Sequence, residues 1–121
     1  MKIINISNLT NPLSSSLNAT YCESFGCKLR GLTFRKSLPM DNGLLLVEKE
    51  DSRLSSAIHM AGVFFDLGIV WINNAMQVVD KGLARKWVGL LAPKSPARFT
   101  LEIVPGRIEE FNIGDEIRFE K

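Results

Sequence analysis

The segment Leu67–Ile72 (LGIVWI) is apolar along its whole length and stops at the turn pair Asn73 and Asn74. It is far shorter than the roughly twenty apolar residues a membrane span needs, so it reads as a strand, and one whose two faces are both buried. A chain containing such a strand must supply packing material on both sides of a sheet. With 121 residues, 45% of them apolar, it has enough for one hydrophobic core and too little for two domains.

Short strands punctuated by turns are expected on either side. Residues 2–7 alternate well enough for a first strand, and residues 8–18, rich in Asn and Ser around Pro12, read as a loop. Ser24 is a suitable N-cap for a brief helix through Cys27 and Leu29 toward Leu32, with Gly26 and Gly31 keeping it short. The turn chemistry of residues 38–43 leads to a strand at 44–47, after which the acidic tract 48–51 is expected in solvent. A strand at 57–60 precedes the apolar one, which forms a hairpin with residues 76–80. Residues 82–96 are ambiguous. The RFTLEIV segment, 98–104, alternates: Phe99, Leu101 and Ile103 point one way and Arg98, Thr100 and Glu102 the other, so a half-exposed strand is predicted. Residues 107–111 have room for one helical turn and 116–119 for a last strand. The fold class expected is therefore α+β and β-rich, a small single-domain barrel-like or rolled, mostly antiparallel sheet with one or two short helices.

Composition narrows the function classes. No apolar stretch reaches membrane-spanning or signal-core length, so a soluble, cytoplasmic protein with no membrane partner is expected. Cys22 and Cys27, five positions apart, form neither a C-x-x-C motif nor a disulfide framework, and two reduced, partly buried thiols are expected. Adding His59 leaves a fourth zinc ligand missing, so neither a metal nor a cofactor is expected. The net charge of +2 does not call for nucleic acid, which is an unlikely partner. Its distribution is uneven, with Lys28, Arg30, Arg35 and Lys36 in one acid-free window and Lys81, Arg85, Lys86, Lys94 and Arg98 in another. Such windows either form an electropositive face or pair with acids folded beside them.

Three blocks resemble a known family. KLRGLTFRKSLPMDNGLLLV (28–47) looks like the opening Arg-x-x-Gly-Leu-Met-x-Arg pattern of the DUF 192 proteins, whose letters stand for domain of unknown function. Residues 58–73 resemble that family's Ile-His-x-x-Gly-Met-x-Phe-Pro-Ile-Asp block, and residues 97–117 its Val-Leu-Glu-Leu-Pro-Ala-Gly and Gly-Asp ending. The resemblance implies a compact barrel-like α+β domain and no activity. One departure matters: Gly68 stands at the usual acid position and Asp66 lies two residues earlier, on the same face if the strand extends that far.

Four residues make up the candidate ligand site. Arg30 and Arg35 suit bidentate grip on a carboxylate or phosphate, or a structural pairing with Glu102 or Asp115. His59 is suited to acid–base chemistry or to a structural hydrogen bond, and Asp66 would accompany it. The sequence thus reads as a module binding a small anionic ligand or a protein partner. The alternatives are a hydrolase using His59 with Asp66 or Cys22, and a nucleic-acid accessory protein using the basic windows. Asp115, after Gly114, should close a turn through its side chain, and Trp71 and Trp87 should pack in the core.

Overall fold

The computed structural model describes residues 2–31, 37–60, 62–87 and 89–121, and for Phe25, Leu29 and Arg30 the backbone alone. Nine strands and two short helices occur among them: β1 (Ile3–Asn8), β2 (Asn18–Cys22), α1 (Phe25–Arg30), β3 (Asn42–Ser52), β4 (Ile58–His59), β5 (Leu67–Ile72), β6 (Val78–Ala84), β7 (Leu90–Leu91), β8 (Ala97–Ile103), a 3-10 helix (Pro105–Glu110) and β9 (Ile117–Glu120). Seven strands form one sheet in the order β6-β5-β8-β3-β2-β1-β9, and β4 pairs with β7 in a small separate ribbon. Only β2 and β3 run parallel, joined by the long crossover that carries α1, as parallel neighbours require. The α+β, strand-rich class expected from the pattern is the one observed.

The sheet rolls until its two edges meet. Gln77 bridges Glu116, with the Val78 amide donating to the Asp115 carbonyl at 2.9 Å and the Ile117 amide to the Met76 carbonyl at 2.8 Å. Elsewhere the seam is plugged by the 3-10 helix. Its Ile108 lies over Gly68 so closely that a Cβ there would stand 2.5 Å from Ile108 Cγ1.

Rolling gives the sheet an inside and an outside, each with its own apolar cluster. Inside lie Ile4, Ile6, Leu17, Leu45, Val47, Val70, Ile72, Phe99, Leu101, Ile103 and Phe111. Outside, on the alternate residues of the same strands, lie Cys22, Leu44, Ile69 and Trp71, covered by Leu38, Ile58, Met60 and Val63 from the connecting segments. β5 is buried at all six positions, as its apolar run requires.

Several expectations are corrected. Asn18, expected to end a loop, opens a strand that runs to Cys22, for which no element was expected, and the acidic tract, solvent-facing as expected, extends β3 to Ser52. β8 is not half-exposed: it lies between β3 and β5, and Thr100 and Glu102 on its supposed solvent face are 1% and 6% exposed. Trp71 is in the core, whereas Trp87 is 55% exposed. Cys22 and Cys27 are not reduced thiols but a disulfide, with Cα atoms 5.6 Å apart, well within bridging range. The turn after β2, held by Ser24 Oγ accepting from the Cys27 amide at 3.1 Å, brings them together.

Candidate functional site: a buried carboxyl on the outer face

Strand register places one carboxyl among the outer apolar residues. Leu44, Glu102 and Ile69 are directly opposite one another across β3, β8 and β5, and Leu46, Thr100 and Trp71 form the neighbouring row. Thr100 has a partner: its Oγ1 donates to the Ser56 carbonyl at 3.0 Å, and Trp71 Nε1 donates to the same oxygen at 2.9 Å. That shared acceptor fastens the segment before β4 onto the sheet, and the Ser56 hydroxyl in turn bonds the Ser52 carbonyl.

Glu102 has no such arrangement. No described residue donates a hydrogen bond or ion pair to its carboxyl, and burial raises its pKa from 4.5 to about 7. No described side-chain nitrogen or oxygen is wholly enclosed without a partner, so this carboxyl is closely surrounded but not sealed. Near neutral pH it exists as both acid and carboxylate, and can therefore donate or accept a hydrogen bond at one atom.

The helix that opens the first basic window also meets the outer face. The disulfide joins the end of β2 to α1, and Cys22 lies two strands from Thr100 by register, roughly 10 Å away. Lys28 Nζ reaches Glu48 Oε2 at 3.0 Å, tying α1 to β3. Cys27 and Leu38, on either side of the segment carrying Arg30 and Arg35, both pack in the outer cluster. Arg30 is the last residue of α1; its side chain, and Arg35 entirely, lie outside the described residues.

His59 and Asp66 are placed elsewhere. His59 is exposed, opposite Leu90 in the β4–β7 ribbon. Asp66 Oδ1 accepts from the Lys86 amide at 2.9 Å, holding the turn after β6. Cys22 is fully buried and disulfide-bonded, so it offers no thiolate to a hydrolase mechanism. Asp115 closes its turn as expected, accepting from the Asn112 amide at 2.9 Å. It also takes the Asn8 and Asn11 side chains, at 2.7 and 3.0 Å. Burial pushes its pKa up, but these bonds prevail and hold it below the ordinary carboxylate value.

The DUF 192 model, described as "Uncharacterized ACR", matches residues 7–119. The chain belongs to the DUF 192 family. Among curated relatives, a UPF0127 protein of Thermococcus gammatolerans is 29% identical over 100 residues, covering 81% of this chain and 63% of the relative. One from Thermococcus kodakarensis is 29% identical over 91 residues, covering 75% and 56%. The chain thus spans less than two thirds of the length of either relative. Two solved structures share the fold at 15% identity. One is a Sinorhizobium meliloti protein described as a candidate transcription regulator, with a TM-score of 0.83 over 97% of this chain and 92% of that one. The other is a Novosphingobium aromaticivorans protein of unknown function, with a TM-score of 0.79 over 96% and 83%. No catalytic function comes with the family, and no described helix is long and apolar enough to cross a membrane.

Membership makes the departure at Gly68 intelligible. Where the DUF 192 pattern has an acid, this chain has glycine with Ile108 filling the space, so a carboxylate there would collide with an apolar side chain. Asp66 is occupied at the 86 turn. Asp80 and Asp115 are buried as well but carry hydrogen bonds; the buried carboxyl without a described partner is Glu102, which alternation alone assigned to solvent.

Proposed function

We propose that this domain is a binding module whose ligand is a small anionic molecule that also carries a hydrogen-bonding group. The hydrogen-bonding group meets Glu102, and the anion meets Arg30 and Arg35, which lie in sequence between Cys27 and Leu38, two residues that pack in the same outer cluster. The observation that carries this reading is Glu102 itself, nine-tenths buried and without a described partner, where the fold could have placed a leucine. Buried polar groups are costly unless something satisfies them, and a ligand does so as well as a side chain.

The disulfide bears on location. A cytoplasm would keep such a pair reduced, so the bond supports residence in an oxidising compartment over the cytoplasm expected from the sequence.

A thermal-shift screen of anionic metabolites at pH 6 and pH 8 tests the binding. The expected hit stabilises the wild type and loses at least tenfold in affinity in both Glu102→Leu and Arg30→Ala, each shown to be folded. A hit that binds both variants as tightly as wild type would remove the outer face from consideration.

A further inference from the structure

The second basic window does not behave as one unit. Lys81 Nζ donates to the Phe111 carbonyl at 2.8 Å, and Arg98 bonds the Glu48 carbonyl and Asn74. Arg85 and Lys86, both exposed, make no ion pair among the described residues. They lead directly into Trp87, which is 55% exposed at φ 62°, a left-handed backbone conformation that bulky residues seldom hold. Its ring lies 5.4 Å from that of Phe64, itself 45% exposed. Leu90, 72% exposed, shares the outer face of the β4–β7 ribbon with His59, its register partner.

We propose that this lobe docks the domain onto an anionic lipid surface. Trp87, Phe64 and Leu90 would enter the headgroup boundary while Arg85 and Lys86 meet lipid phosphates. Two properties favour a membrane over an acidic protein. The apolar side chains project from a turn, the β4–β5 connection and a two-residue ribbon, the form of a shallow wedge. The cations sit beside the tryptophan, in the pairing that anchors proteins at a bilayer interface. The nearby carboxylate, Asp66, is already bonded to the Lys86 amide. Docking of this kind is peripheral and needs no spanning helix.

Sedimentation with phosphatidylcholine vesicles, with and without phosphatidylglycerol, tests it. Wild type should partition onto the phosphatidylglycerol vesicles with a blue shift in tryptophan emission, which Trp87 supplies because Trp71 is buried. Trp87→Ser, Leu90→Ser and the double change Arg85→Glu, Lys86→Glu should each lower partitioning about tenfold, and the double change should leave phosphatidylcholine binding untouched. The surface position of all four residues keeps these variants folded, which unchanged melting would verify. No partitioning onto phosphatidylglycerol vesicles overturns the proposal. So does partitioning indifferent to Trp87→Ser, or equally tight binding to poly-glutamate, which would mark a general acidic-polymer surface.

Discussion

Of the four charged residues buried among the described ones, Arg107 and Glu102 are treated in opposite ways. Arg107, 1% exposed, has every guanidinium nitrogen engaged: Nε and Nη2 donate to Glu110, and the two Nη atoms also reach the carbonyls of Ser15, Ser16 and Met40 at 2.8 to 3.2 Å. Glu102, 6% exposed, receives nothing from any described residue. The difference is one of role. Arg107 stitches together segments far apart in sequence, around residues 15–16, 40 and 110, so its charge is part of the architecture. Glu102 stands among apolar neighbours on a central strand, where it adds nothing to packing that a leucine would not add. Such a cost is sustained by something other than stability.

The sharpest way to break the comparison is Arg107→Met. It would take the donor from three carbonyls and leave Glu110 with Ser14 alone, and should destabilise the domain by about 3–5 kcal/mol in urea titration. A loss under about 1 kcal/mol would mean that water satisfies these carbonyls and the two residues do not differ in kind.

Next comes the pH dependence. For Glu102 the folded pKa of about 7 lies above the ordinary 4.5, so the folded state holds its proton longer. Stability from this group is full below pH 4.5 and falls as pH rises toward 7, by about 3 kcal/mol in all. Glu110 has the opposite sign: its hydrogen bond from Arg107 holds it below the ordinary value, so its contribution is present at neutral pH and is lost on acidification. Glu102→Gln should therefore stabilise the protein at pH 8 by about 2–3 kcal/mol and change little at pH 4.5. Equal effects at both pH values would show that this carboxyl is satisfied in the folded state.

The smallest effect concerns the covalent tie on the outer face. Replacing Cys22 and Cys27 by serine opens a short loop and should cost about 2 kcal/mol by the chain-entropy account. Wild type and variant should then melt alike in dithiothreitol. A difference that persists under reduction would assign the effect to packing around buried Cys22.

Much of this fold was legible from pattern. The unbroken apolar run of β5, the Asn-Asn hairpin, the Ser24 cap and the Asp115 turn all express local rules, and each stands where the residues put it. What escaped depends on neighbours. NATYC is too polar to announce a strand, yet as β2 it is covered from both sides by β1 and β3. Alternation in RFTLEIV correctly separates two faces, but only the strand order shows that both are enclosed. Glu102 therefore changes from a surface residue to the most perturbed described carboxyl without any change in its local pattern. Arg107 depends on carbonyls more than sixty residues away, and Cys22 meets Cys27 because a turn folds them together, neither of which spacing alone expresses. Of the candidate ligand residues, His59 and Asp66 stand on the ribbon side, while Arg30 belongs to the helix that runs onto the outer face.

The pairing of β1 with β9 also dictates an order of events during synthesis. Ile6 lies opposite Phe119 and Asn5 opposite Glu120, so β1 waits for residues made more than a hundred positions later. Until they emerge, one edge of β1 is unpaired, the seam between Gln77 and Glu116 cannot form, and Ile4 and Ile6 have no closed interior to enter. Contacts of such long range slow folding. A nascent chain of this kind stays open until residues 117–120 have emerged, available to chaperones or to an export channel, and closes its roll only then.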